Sequence, residues 1–174
     1  GGGRGMRVVR SLDELEAAME RCASEAMTAF GDGSLYVERH LSAARHVEVQ
    51  LIGDGTGAVA VLGDRECSLQ RRHQKIVEVA PAPHLPEGVR QRLAAAARAL
   101  GRAVELRSLA TVEFLVTDDG TVAFLEVNAR LQVEHTVTEE VTGLDLVALQ
   151  LQLAQGASLD ALGRAATPAP DGPA

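Results

Sequence analysis

Asp119-Gly120 stands between two runs of strand-like alternation, Thr111 to Thr117 and Thr121 to Val127. An Asp-Gly pair flanked in this way is among the strongest short-range signals for a β-hairpin. As a two-residue loop it sets Asp118 opposite Thr121, and therefore Glu113 opposite Glu126. Like charges facing each other across a sheet cost up to about 1 kcal/mol. A cation between the carboxylates reverses that sign, because Mg²⁺ takes carboxylate and phosphate oxygens. The competing reading is a pair of solvated glutamates on an open face. Leu115, Val122 and Phe124 are expected to share the face, which argues that it is covered and favours the metal.

The second of these runs leads into Phe-Leu-Glu-Val-Asn-Ala-Arg-Leu-Gln-Val-Glu-His, residues 124–135. In extended backbone Glu126, Asn128 and Arg130 project together, and Gln132 and Glu134 continue the alternation. Two oxygen ligands, a guanidinium and a further carboxylate on one wall suit a divalent cation, a phosphate or carbonate, and a base. An Arg130–Glu134 surface ion pair is the plainer alternative.

The remaining pattern places this hairpin in an α+β fold with an antiparallel sheet. Met6 to Val9 reads as a short extended run. Ser11 and Glu14 form a capping-box signature for a helix to about Phe30, broken at Gly31-Asp32-Gly33. Leu35 to Glu38 reads as a short strand. His46 to Ile52 and Ala58 to Leu62 form a hairpin around Gly53 to Gly57. Residues 63–75 read as a polar irregular loop and Ile76 to Ala80 as extended. Pro86 opens a helix through about Leu100, and a last helix spans Leu144 to Gln155. Ala, Pro, Gly and Thr dominate from residue 165, so residues 163–174 are expected to form a disordered tail.

With 174 residues and a net charge of −7, the chain argues against broad electrostatic binding to nucleic acid or to an anionic membrane. Its two cysteines, Cys22 and Cys67, suggest neither a disulfide framework nor a zinc site, and a reducing cytoplasm is the expected compartment. Sixteen arginines accompany a single lysine, Lys75. A coding bias toward Arg explains that composition; the sharper reading is a position that needs a compact, titratable ammonium.

The opening Gly-Gly-Gly-Arg-Gly could bring backbone N–H groups against phosphate, although many glycine runs are linkers. Residues 65–75 crowd cationic groups and two glutamines into one stretch, where Gln70, His73 and Lys75 suit hydroxyl, phosphate or carboxylate ligands. His46, by spacing alone, reads as a strand-end histidine. Cys67 and Ser68 lack an evident base partner for nucleophilic chemistry.

Taken together, GGGRGMRVVR at 1–10, YVERHL at 36–41, RHVEVQ at 45–50, GDRECSLQRRHQKIVEVAPAP at 63–83, VEFLV at 112–116 and FLEVNARLQVEHTVTEEVTGLDLV at 124–147 resemble the ATP-grasp domain of the biotin carboxylase family. The resemblance implies an ATP-grasp domain over residues 1–162, cut from both ends of a longer enzyme. It implies ATP-dependent carboxylation of biotin through carboxyphosphate, with ATP and Mg²⁺ or Mn²⁺ as cofactors and biotin as carried substrate. Gly2 and Gly3 would cover the ATP phosphates, Glu38, Arg39 and Leu41 would lie at the adenine hinge, and His46, Gln70 and His73 would contact ribose or phosphates. Glu113, Glu126 and Asn128 would hold the metal. Lys75, Arg130, Gln132 and the Val133 backbone would hold bicarbonate, and Glu134 would deprotonate it. Expected partners are a biotin carboxyl carrier domain or subunit, a carboxyltransferase and, for the parent, a homo-oligomeric mate.

The family's lysine before the glycine loop and its arginine beyond the last helix have no counterpart here, so the isolated chain is expected to be catalytically poor. Thr136 and Ala129 replace residues usual in the family. Two other readings remain: an ATP-grasp ligase of the carbamoyl-phosphate synthetase type, and a non-catalytic nucleotide-binding remnant.

Overall fold

The computed structural model describes residues 5–163, which group into two compact units. The first takes the N-terminal residues through Ser42 together with Gln70–Gln74, and the second takes Ala43–Leu69 and the chain from Lys75 onward. Gly2 and Gly3, and the expected tail beyond Gly163, lie outside the described residues.

In the first unit a 3₁₀ turn at Leu12–Glu14 leads into helix α1, Leu15–Phe30. Half of the expected capping box forms. The Glu14 carboxylate accepts from the Arg10 backbone N–H at 3.1 Å, whereas the Ser11 side chain makes no cap bond. Gly31, at φ 75°, closes the helix through a bond to the Met27 carbonyl, in the left-handed conformation that favours glycine. Only Ala18 and Cys22 of α1 are buried. The strand expected at Leu35 to Glu38 does not form, nor does one at Met6 to Val9; Tyr36 and Val37 stand exposed without a ladder partner.

Apart from Gln70, Arg71 and Gln74, which group with the first unit, a five-stranded sheet builds the second: β1 Arg45–Asp54, β2 Val59–Arg71, β3 Gln74–Val79, β4 Arg107–Val116 and β5 Val122–Asn128, in the order β3-β2-β1-β4-β5. The β1–β2, β1–β4 and β4–β5 pairs are antiparallel. The polar stretch expected as a loop at 63–75 is instead mostly strand. β2 runs through it and turns at Arg72-His73, whose φ values of 53° and 63° are those of a tight hairpin turn. Its charged side chains had masked the strand because one face of this sheet is polar.

Val47, Val49, Leu51, Ala110, Val112, Phe114 and Val116 of β1 and β4 line one face and pack with Val89, Leu93 and Ala97 of α2, Glu87–Ala103. Burying a side chain such as Phe114 contributes about 1.5–3 kcal/mol. The opposite face changes character along the strands. At one end Ile52, Leu62 and Leu109 pack with Leu146, Leu149 and Leu153 of α4. At the other end the same face carries Gln50, Thr111, Glu48, Arg65 and Glu113, all buried. Gly53 is required where β1 passes Leu106, since a Cβ there would lie 2.2 Å from the Leu106 carbonyl oxygen.

Three short helices follow the sheet: α3 His135–Thr142, α4 Leu146–Ala154 and α5 Leu159–Leu162. Asp145 caps α4 by accepting from the Ala148 N–H at 2.7 Å. Helix α3 was not expected. Its sequence, His-Thr-Val-Thr-Glu-Glu-Val-Thr, is rich in β-branched residues with weak helix propensity, and tertiary packing overrides that preference.

Candidate active site

Glu113 faces Glu126 across β4 and β5, as the sequence suggested, but by a different route. The turn is longer than two residues: the Thr117 N–H bonds to the Thr121 carbonyl, and the Gly120 N–H bonds to the Thr117 carbonyl, with Gly120 at φ 79°. Pairs near the turn are therefore offset by one, Val116 with Val122 and Phe114 with Phe124. An irregularity between the Phe114–Phe124 and Glu113–Glu126 pairs leaves Leu125 unmatched and restores the register. The two shifts cancel at Glu113. They also correct the expected face: Phe124 meets Phe114 edge-on with ring centroids 6.3 Å apart, and Val122 packs on the same apolar core, on the side away from Glu113.

Glu113 has a second acidic neighbour, because Glu48 of β1 pairs with it on the other side. Three carboxylates therefore stand in a row across β1, β4 and β5. Lys75 resolves most of the conflict. Its Nζ lies 2.5 Å from Glu48 Oε2, 2.6 Å from Glu134 Oε1 and 3.0 Å from Glu113 Oε1. His46 Nε2 approaches Glu113 Oε2 at 2.7 Å, and Gln132 Nε2 donates to Glu113 Oε1 at 3.0 Å. Asn128 Nδ2 donates to both Glu113, at 2.9 Å, and Glu126, at 3.1 Å.

Titration follows from these contacts. Burial pushes the Glu113 carboxyl up, but hydrogen bonds from His46, Gln132 and Lys75 outweigh it and bring its pKa down to about 2. Burial opposes charge on Lys75, yet Glu48, Glu134 and Glu113 together raise its pKa above the ordinary lysine value. Glu134 is likewise opposed by burial and held below the ordinary carboxylate range, chiefly by its hydrogen bond from Lys75. Burial and the Glu48 charge push the Cys67 thiol up, so this cysteine stays protonated and is no nucleophile.

The strand expected to continue past Asn128 stops there, and residues 129–134 bend into α3. Arg130, Gln132 and Glu134 therefore do not line one extended wall. The bend carries Gln132 and Glu134 inward to Glu113 and Lys75. Arg130 is exposed, donating to the Leu131 carbonyl at 3.2 Å, and the Val133 side chain is 89% exposed. Glu38 and Arg39 are exposed and Leu41 is half-buried in the first unit, which also holds Gln70 and His73.

Glu48 and Arg65 escaped the sequence reading, although both are fully buried. Arg65 Nε donates to Glu48 Oε1 at 2.5 Å, and its Nη1 donates to Gln50 Oε1 at 2.9 Å and Thr138 Oγ1 at 2.6 Å. The signal was present in β1, where Val47, Val49 and Leu51 alternate with His46, Glu48 and Gln50. Two polar faces of adjoining strands must then be mutually satisfied or hold a ligand.

Four carboxylates in this connected network, on Glu48, Glu113, Glu126 and Glu134, meet two permanent cations, Arg65 and Lys75. The excess of two negative charges fits a divalent cation. Glu113 and exposed Glu126 offer hard oxygen ligands, and reversing the Asn128 amide would present its oxygen to the same point. Among the described residues, His46, Glu48 and Glu113 also place one potential ligand atom each within 4.8 Å of one another. Lys75 already bridges the two carboxylates of that set, and Arg65 holds the other Glu48 oxygen.

No helix among the described residues is long and apolar enough to cross a membrane. Residues 1–162 match the family model described as carbamoyl-phosphate synthase L chain, ATP binding domain. Pyruvate carboxylase 1 of Caenorhabditis elegans is 59% identical over 162 residues, covering 93% of this chain and 14% of that protein. Mitochondrial pyruvate carboxylase of Homo sapiens is 53% identical over 163 residues, covering 94% and 14%. The chain thus spans a small part of the curated relatives it matches. The biotin carboxylase of Campylobacter jejuni, solved as a β-γ-ATP complex, superposes with a TM-score of 0.89 at 48% identity, covering 91% of this chain and 36% of that one. With matching sequence and fold, the chain belongs to the carbamoyl-phosphate synthase L chain ATP-binding family, and within it to the biotin carboxylases of ATP-grasp fold.

Proposed function

We propose that this chain is the ATP- and bicarbonate-handling core of a biotin carboxylase, an ATP-dependent ligase whose ATP-grasp domain spans residues 1–162. The observation that carries the reading is Lys75 Nζ held between Glu134 and Glu113, with Glu113 in register with Glu126. One ammonium links a candidate base to a candidate metal ligand.

Glu113, Glu126 and Asn128 would hold Mg²⁺ or Mn²⁺, which when bound neutralises charge on the transferring phosphoryl group. Gly2 and Gly3 would cover the phosphates of ATP, Glu38, Arg39 and Leu41 would receive the adenine, and His46, Gln70 and His73 would contact ribose or phosphate. Lys75, Arg130, Gln132 and the Val133 backbone would bind bicarbonate. Gln132 supports this assignment, because its amide oxygen is buried without a partner among the described residues. Leaving such a group unsatisfied costs about 1–3 kcal/mol, and a ligand hydroxyl would relieve it.

Glu134, ionised at neutral pH, is the base that takes the bicarbonate proton, and Lys75 stabilises the anion that results. That oxygen then attacks the γ-phosphorus of ATP and ADP leaves, giving carboxyphosphate. Its C–O bond breaks to release CO₂ and inorganic phosphate; the ureido nitrogen of a biotin carried on another domain or subunit gives its proton to that phosphate and bonds the CO₂, and a carboxyltransferase then uses the carboxybiotin. The reading includes a homo-oligomeric parent in a cytoplasmic setting.

The test is transfer of labelled carbon from bicarbonate to free biotin by the full-length polypeptide carrying this chain, with Mg·ATP. ATP-dependent labelling of biotin is expected. The name of the matched family model favours a second reading, carbamoyl phosphate synthesis. Labelling that requires ammonia and ignores biotin would select that reading.

A further inference from the structure

The proposed chemistry does not use Arg65, and burying a guanidinium completely is expensive unless each donor is met. Here each guanidinium nitrogen is met, by four side chains on three elements: Glu48 and Gln50 on β1, Thr111 on β4 through Nη2 at 3.3 Å, and Thr138 on α3. Arg65 stands in register with Glu48 on β2 and β1, so the pair is fixed by backbone pairing as well as by charge. Glu48 splits its two oxygens, Oε1 to Arg65 and Oε2 to Lys75. The Lys75 ammonium then reaches Glu134 and Glu113. The sequence of contacts runs from a wholly buried fork to a partly exposed ammonium.

We propose that Arg65 is a positioning residue: acting through Glu48, it fixes Lys75 Nζ between Glu113 and Glu134, and Thr138 of α3 locks its guanidinium. Without that anchor Glu48 can follow Lys75 away from the site, because among the described residues it is Arg65 that holds Oε1. Arginine is suited to the task because its rigid fork addresses several acceptors at once, which a lysine cannot do. The inference rests on the reading of Lys75 and Glu134 given above, although the arrangement of Lys75 can be measured without turnover.

The experiment compares Arg65→Met, Thr138→Val and Thr138→Ser in the full-length polypeptide carrying this chain. Thr138→Val keeps every charge and nearly the same volume, so it stands in if Arg65→Met fails to fold. The first readout is the acylation rate of Lys75 by acetic anhydride, followed by peptide mass spectrometry. A several-fold faster rate in Thr138→Val, restored to the wild-type rate in Thr138→Ser, is expected. The second readout is bicarbonate-dependent ATP cleavage. Arg65→Met should lower kcat 10- to 100-fold and Thr138→Val several-fold, with the KM for ATP within about twofold of wild type.

A Lys75 acylation rate unchanged in Thr138→Val would overturn the positioning role. So would a Thr138→Val loss confined to the KM for ATP, or one that Thr138→Ser does not rescue. Absence of bicarbonate-dependent cleavage in the wild type, with the acylation change still present, would defeat the functional reading and leave Arg65 as the anchor of Lys75.

Discussion

Glu48 and Glu113 face each other in register across β1 and β4, and one Lys75 ammonium contacts an oxygen of each, at 2.5 and 3.0 Å. A sheet that opposes two buried glutamates requires a cation between them, and the chain's only lysine supplies it. Lys75→Met removes the ammonium that Glu48, Glu113 and Glu134 share, leaving Glu48 its Arg65 contact and Glu113 its contacts from His46, Asn128 and Gln132. The expected loss is about 3–5 kcal/mol of stability at neutral pH, as is usual when one side of a buried ion pair is deleted. Urea unfolding of the two proteins at pH 7 and again near pH 4 checks it: Glu113 and Glu134, without the Lys75 contacts that hold their pKa values down, take up protons more readily in the variant, which should narrow the gap.

Glu113 sets a pH dependence of definite sign. Its folded pKa of about 2 lies below its ordinary value of 4.5. The unfolded state therefore binds the proton more readily, and the stabilisation is present above about pH 4.5 and lost as pH falls through about 2. The shift corresponds to stability on the order of 3 kcal/mol. Urea midpoints without divalent cation should fall across that window, and more steeply for wild type than for Glu113→Gln. Equal slopes would contradict the assignment.

The carboxylate row predicts where a metal enters. Glu126 is exposed and contributes little to the fold, so Glu126→Gln should unfold within about 0.5 kcal/mol of wild type. The same variant should lose most of the Tm increase that Mg·ATP gives the wild type. A full Mg·ATP increase in Glu126→Gln would remove Glu126 from the metal site.

Gly53 tests the sheet itself. Gly53→Ala would place a methyl 2.2 Å from the Leu106 carbonyl oxygen, a backbone atom that cannot rotate aside. A destabilisation of at least about 1–3 kcal/mol is expected by thermal unfolding.

Much of this site was legible in the sequence, and the failures have physical causes. The facing glutamates were read through a turn one residue too short, and the unmatched Leu125 cancelled the error. Because side chains alternate, the same slip moved Val122 and Phe124 to the wrong face. Strand β2 hid behind polar side chains: Asp64 and Arg65 are buried against polar partners, while Ser68, Gln70 and Arg71 at its end are exposed. Helix α3 hid behind β-branched residues, and with it went Thr138. Arg65 and Glu48 look unremarkable in the chain; only the pairing of β1 with both β2 and β4 makes them neighbours of each other and of Glu113.

In the proposed reaction Glu134, oriented by Lys75, acts as a base on bicarbonate beside a metal-bound nucleotide. The most direct test of that role is bicarbonate stimulation of ATP cleavage by Glu134→Gln in the full-length polypeptide, beside the Tm increase with Mg·ATP. The stimulation is expected to fall by about 10²–10⁴-fold while the Mg·ATP increase persists. Wild-type stimulation by bicarbonate in Glu134→Gln would contradict it.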